Sequence, residues 1–320
     1  MKPFAIVAMV AGLAVIVILV VVFGAPMVAA ALVRLGPLGF SAVCLAHAPV
    51  LAILAGAWRA CIPTGVSVRF RSVIAARLLR EAAAETLPFS DLGGFAIGMR
   101  ALALAGVSGV AAVASTLVDL TAEALAQLGF LWLGLAAIYR LRPDAPLIRP
   151  AATTLLVLVA TIAAAIVATR RGGKIVAPAL AMVRSRLARF GSVDAVLAMT
   201  FALLRRSRAF ALASLIHLAG WLALAGEAWF ALRLIGAETS YVQVLALEAA
   251  LFATRSLAFF MPAALGVQEG AYALFAPMLG IDVPDVLALS LVKRARNIVI
   301  GAPALLLWER VEASRQLRKR

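Results

Sequence analysis

Charge is scarce in this 320-residue chain: 14% of its residues are Asp, Glu, Lys or Arg, against 64% hydrophobic residues. A soluble domain carries about 25% charged residues, so that scarcity, with a mean hydropathy of +1.05, excludes the ordinary water-soluble class. Once the apolar spans are assigned, no stretch long enough for a separate soluble domain is left. Cysteine is almost absent. Cys44 and Cys61 flank a predicted span and offer neither a disulfide framework nor metal spacing. The two histidines, His47 and His217, sit alone in different apolar runs without an H-x-x-x-H or H-E-x-x-H partner, which predicts packing residues rather than ligands. G-x-S-x-G, Walker A and D-x-D patterns are all missing, and Gly172-Gly173-Lys174 lacks the flanking residues of a phosphate loop. The sequence therefore predicts no cofactor, no metal, no ATP-driven pump and no enzyme.

What the chain has is long apolar sequence and an excess of basic residues, with a formal net charge of +15. The basic residues fall mostly between apolar runs, where membrane topology explains them better than nucleic-acid binding does. Runs of spanning length cover about 4–23, 38–57, 151–169 and 209–232, with longer charged ones at 104–138 and 284–308. The first is too long for a secretory h-region, and Gly24-Ala25-Pro26 is a weak cleavage pattern, so an uncleaved span is expected. Segment 59–80 holds five arginines and no acid, 170–208 nine basic residues against Asp194, and the tail five against two. Segments 24–37, 140–149 and 233–241 are far less basic. Placing the first three inside and the others outside puts both termini in the cytoplasm. Within 170–208, Val183, Leu187 and Phe190 alternate with Arg184, Arg186 and Arg189. This spacing fits either a basic amphipathic helix on an anionic leaflet or a solvated connector.

The remaining apolar pieces, about 77–100 and 241–280, are each broken near the middle, and the orientation argument makes each a re-entrant pair. Shifting the chain by 174 residues lays Leu87-Pro88 on Met261-Pro262, Gly106 on Gly280, Leu117-Val118 on Leu291-Val292, Asp119 on Lys293 and Glu123 on Asn297. The expectation is an inverted repeat, with repeat 1 at about 77–138 and repeat 2 at about 241–310, in a single transmembrane domain over 1–320. Such repeats place a substrate site near the midplane between the copies.

Ions inside apolar spans are the candidate site. Each costs roughly 2.5–3.5 kcal/mol at a bilayer centre, so Lys293, Arg294 and Arg296 on one helix require a polar cavity or partners. Thr116, Asp119, Glu123 and Gln127 share one helical face, and Lys293, Arg296, Asn297 and Ile300 another. As repeat counterparts, Asp119 and Glu123 are expected to approach Lys293 and Arg296 in the core. They would do so as register-fixing ion pairs or as the lining of a headgroup path. Glu269 lies just past the Pro262–Gly266 break and Arg255 about two turns before it, where free helix ends can hold a polar headgroup. Alternatively, this is a structural hairpin whose Glu269 reaches the outer interface. On the other repeat, Pro88, Gly94 and Arg100 are interface candidates, with a positive-inside anchor the preferred role for Arg100.

The run Phe260-Met261-Pro262-Ala263-Ala264-Leu265-Gly266-Val267-Gln268-Glu269-Gly270 resembles the P-x-x-x-G-x-x-E-G signature of the lysylphosphatidylglycerol synthase transmembrane region, or flippase-like, family. Leu289 to Asn297 looks like the branch associated with hopanoid biosynthesis, and Val118 to Thr121 and Leu87 to Gly94 extend the likeness over most of the chain. The resemblance implies a bacterial inner-membrane protein of lipid-translocating type, with Pro262, Gly266 and Glu269 at matched motif positions. Ala263-Ala264 stand where glycines are common, which bears on hinge flexibility. The full synthases also carry a soluble aminoacyl-transferase domain that this sequence lacks, so aminoacylation of lipid is not expected.

The combined expectation is an all-α polytopic membrane protein of about six full spans and two re-entrant hairpins, whose partners are membrane lipids and not nucleic acid. It would translocate a lipid past Asp119, Glu123, Lys293 and Arg296, with the hairpins moving at Pro88 and Pro262. The alternative is a non-transporting scaffold that docks lipid-biosynthetic enzymes through 170–208.

Overall fold

In a bilayer every backbone N–H and C=O must find an internal partner, which leaves apolar runs the α-helix. The computed structural model describes residues 2–86, 90–146, 148–172, 193–258 and 264–317. Among these there are eleven α-helices. They are α1 (Lys2–Val22), α2 (Ala25–Cys61), α3 (Phe70–Thr86), α4 (Ser90–Leu104), α5 (Gly109–Leu141), α6 (Ile148–Gly172), α7 (Val193–Leu204), α8 (Ser207–Ile235), α9 (Tyr241–Leu257), α10 (Val267–Phe275) and α11 (Val283–Leu317). Polar caps and glycines set several boundaries. Ser108 accepts the Ala111 N–H to start α5, Ser240 and Gln243 form a capping box on α9, and Gly236 (φ 96°) ends α8.

Two sequence expectations change here. Residues 25–35, read as a loop, are helical, because Pro26 sits in the first turn, where its missing N–H costs nothing, and the Ala/Val/Leu-rich stretch after it has no breaker before Gly36-Pro37. Only Gly36 (φ 59°, ψ 178°) leaves helical geometry, and it kinks α2. The 59–80 segment is largely not a loop either. α3 begins at Phe70 and buries Arg77 and Arg80, so two of the five arginines used to assign sidedness are interior groups.

Two helical hairpins, α3–α4 and α9–α10, dominate the arrangement. The connections 87–89 and 259–263, with Pro88 and Pro262, lie outside the described residues, as does the 173–192 part of the basic segment. In the first hairpin a Cβ on Gly94 would stand 2.4 Å from the Arg80 carbonyl oxygen, and one on Gly98 3.1 Å from the Arg80 Cβ. The missing side chains therefore allow the two helices to touch backbone to backbone. Gly94 is a packing residue.

The two hairpins meet α11 along different stretches, the second through Glu248 and Glu269 at Lys293 and Arg294, the first through Arg100 at Glu312. Near its start, Asp285 pairs with Arg34 of α2, and Gln243 at the base of the second hairpin donates to the Leu279 carbonyl. Near its other end Glu312 pairs with Arg100, in the second half of α4. Asp285 and Glu312 are about 40 Å apart at a helical rise of 1.5 Å per residue. The inner ends of the hairpins come together between them, where Glu85 of α3 pairs with Arg255 of α9 at 3.0 Å.

Buried Val43, Leu232, Leu247, Leu287 and Leu289 centre one apolar core, and Trp58, Val73, Leu102 and Ala112 a second. The outside is apolar too, with Val33, Leu38, Leu45, Leu215, Leu257, Ile298 and Leu306 all exposed. Among the described residues three helices, α2, α5 and α8, are long and apolar enough to cross a membrane. An apolar exterior around buried ions is the reverse of a soluble protein, and the molecule is an all-α membrane protein.

Candidate functional site

Helical spacing first sorts the interior charges onto faces. α3 carries Arg77, Arg80, Glu81 and Glu85 at steps of three and four, and α5 carries Asp119, Glu123 and Gln127. Packing then brings the faces together. Arg80 donates to Asp119 at 2.7 Å and to Glu123 at 2.6 Å, and Arg77 to Glu123 at 3.2 Å and to Glu81 at 2.7 Å. The Arg80 guanidinium also lies over Phe95, 4.6 Å from its centroid, with Trp58 at 5.7 Å. His217 of α8 completes this cluster, its Nε2 2.8 Å from Asp119 Oδ1.

A second cluster ties the other hairpin to α11. Lys293 donates to Glu248 at 2.8 Å and to the Tyr272 hydroxyl at 3.1 Å, and Tyr272 itself donates to Glu248 at 2.6 Å. Arg294 forks onto Glu269 at 2.8 and 3.0 Å. Glu269 also accepts from the Ser290 hydroxyl and from the Gly266 N–H, so it caps the start of α10. Between the clusters Arg296 pairs with Glu227 of α8. Glu227 also lies 2.9 Å from His47 Nδ1, and His47 Nε2 is 3.8 Å from Glu81. At the hairpin junction Gln268 accepts from Arg255 at 3.3 Å, beside the Glu85 pair.

A cavity of about 490 Å³ lies among these groups, within the roughly 300–1,000 Å³ of small-molecule sites. Arg77, Arg80, Glu123, Glu248, Arg255, Lys293, Arg296 and Asn297 form its polar wall, and Phe95, Phe130, Trp221 and Phe252 an aromatic one. Side chains of both signs therefore face a space large enough for a headgroup, with aromatic surface for the less polar part of a ligand.

The expected direct pairing of Asp119 and Glu123 with Lys293 and Arg296 does not occur. α3 places Arg77 and Arg80 against the α5 carboxylates, while α8 and α9 supply Glu227 and Glu248 to the α11 cations. Glu123, Arg255, Lys293, Arg296 and Asn297 line the same cavity, whereas Asp119 is fully buried behind it. Glu269 is 1% exposed and so reaches no interface. It holds α10 to α11, while Gly266 (φ 77°) supplies the left-handed turn before it. Arg100 is exposed and bound to Glu312, away from the cavity.

The sequence reading missed Arg77, Arg80, Glu81, Glu85, Glu227 and Glu248. The first two were hidden by counting them as loop charge. Glu227 and Glu248 are isolated ions in apolar runs, the same signal that singled out Asp119. The two histidines pack in the interior, each bonded to a carboxylate. Ligand atoms of Asp119, Glu123 and His217 lie within 4.8 Å of one another, but both carboxylates already hold guanidiniums. A metal ion there would face Arg77 and Arg80 directly, so the donor set does not fit a cation.

Neither a curated protein nor a solved structure gives a significant match to the chain. The family model described as lysylphosphatidylglycerol synthase TM region matches residues 9–304, spanning both hairpins, the cavity and most of α11. The chain belongs to the lysylphosphatidylglycerol synthase transmembrane-region family.

Proposed function

We propose that this protein is a lipid translocase that passes a polar headgroup through the cavity between its two hairpins while the acyl tails remain in the bilayer. In this reading the hairpins enter from opposite leaflets of a bacterial inner membrane, and both termini are cytoplasmic. The chain acts without covalent chemistry, and its partners are membrane lipids. The observation that carries the reading is a 490 Å³ space lined by paired ions within a bundle whose outer surface is apolar. Ion pairs that only fixed helix register would be expected to pack without such a space. Family membership supports a role with membrane lipids, and the link to hopanoid or phospholipid metabolism is part of the proposal.

The test is reconstitution in vesicles with acyl-labelled lipids, comparing the wild type with Gln127→Trp, which fills the cavity without touching an ion pair. Wild-type protein should move label between leaflets and the variant should not. Movement no faster than in protein-free vesicles would rule the reading out in favour of a non-transporting scaffold.

A further inference from the structure

The interior charges are nearly balanced, and that restricts what the cavity accepts. Among the described residues, the six cations of the two clusters, of the Arg296–Glu227 pair between them and of the junction face seven carboxylates, so the network carries no surplus positive charge. A net-anionic headgroup entering alone would find every guanidinium and the ammonium already held by a carboxylate. A bare cation would meet one surplus negative charge, but each of the seven carboxylates already holds a cation that it would have to share or displace. A ligand bearing both signs has a different route, because it can split an ion pair and satisfy each half.

The pair best placed for this is Arg255–Glu85. It joins the two hairpins, and its side chains are 34% and 28% exposed, whereas Asp119 and Arg80 are 0% and 7% exposed. Gln268 bonds the Arg255 guanidinium from the other side at 3.3 Å, so Arg255 keeps a partner when Glu85 moves away. A guanidinium offers the forked donors that suit phosphate, and a carboxylate suits an ammonium. We propose that the cavity binds a zwitterionic headgroup that combines an ammonium with a phosphate, and that this headgroup separates the hairpins by taking the place of each partner in the Arg255–Glu85 pair. The proposal rests on the translocase reading for its purpose but makes its own binding prediction.

Binding is measured by tryptophan fluorescence on the detergent-solubilised full chain. The probes are glycerophosphoethanolamine, inorganic phosphate, ethanolamine and glycerophosphoglycerol, followed by dihexanoyl phosphatidylethanolamine. The zwitterion should bind at least about tenfold tighter than any probe bearing charge of one sign only, and Arg255→Gln or Glu85→Gln should remove about that factor. The charge-exchanged double variant Glu85→Arg/Arg255→Glu should regain most of it, since each end of the ligand finds its partner on the opposite hairpin. A tighter dihexanoyl lipid identifies a membrane source, and equal affinity identifies the free headgroup. Either result keeps the assignment. Equal binding of phosphate or glycerophosphoglycerol, or no binding of any probe to folded protein, overturns it. Transbilayer movement of an anionic lipid only would overturn this inference while leaving the translocase reading intact.

Discussion

Replacing Arg80 by glutamine removes, among the described residues, the guanidinium that hydrogen-bonds both Asp119 and Glu123, at 2.7 and 2.6 Å. Those side chains are 0% and 10% exposed, so water cannot easily take its place. Breaking a buried pair by deleting one partner costs about 3–5 kcal/mol. Arg77 remains at 3.2 Å from Glu123 and 3.9 Å from Asp119, which favours the lower end, about 3 kcal/mol. At roughly 2–4 °C per kcal/mol, the midpoint of a tryptophan-fluorescence melt in detergent should fall by about 6–12 °C. Arg80→Gln/Asp119→Asn should recover part of the loss by removing one anion with the cation. The exchange Asp119→Lys/Lys293→Asp should recover nothing relative to its single variants, because these residues sit in separate clusters. A drop of under about 2 °C for Arg80→Gln, or clear recovery in the Asp119/Lys293 exchange, would refute the assignment of partners.

Three further outcomes test other parts of the structure. A Cβ on Gly134 of α5 would stand 2.1 Å from the Ala249 Cβ of α9, so Gly134→Ala should destabilise by about 1–3 kcal/mol and be rescued by Ala249→Gly, read by the same melt. At Gly220 the obstacle is the end of the Leu54 side chain at 2.5 Å, which can rotate, so Gly220→Ala should cost clearly less. Ala264 adopts φ 46°, so Ala264→Gly should relieve about 1 kcal/mol of backbone strain and leave the melt unchanged or raised.

Much of the architecture was legible as pattern. The runs at 4–23, 151–169 and 209–232 correspond to α1, α6 and α8, and the broken stretches to the two hairpins, because hydropathy and helix breaks act locally along the chain. Ala264, one of two alanines at positions where the family resemblance implies glycine, is where the backbone turns left-handed. Arg77 and Arg80 were misjudged because a positive-inside count treats every arginine beyond a span as solvated, and burial is invisible to it.

The sequence by itself determined that this is an all-helical membrane protein with ions that need partners, since the bilayer imposes apolar length and makes unpaired charge costly wherever the chain goes. Only the tertiary structure decided which ions meet. Arg80 and Asp119 are 39 residues apart, and Arg296 and Glu227 are 69 apart. One cation can satisfy a carboxylate as well as another, and nothing in the order of residues ranks the choices. Close glycine-mediated packing of α4 on α3, and the seating of α11 between the hairpins, bring one set within bonding distance and leave a cavity between the clusters.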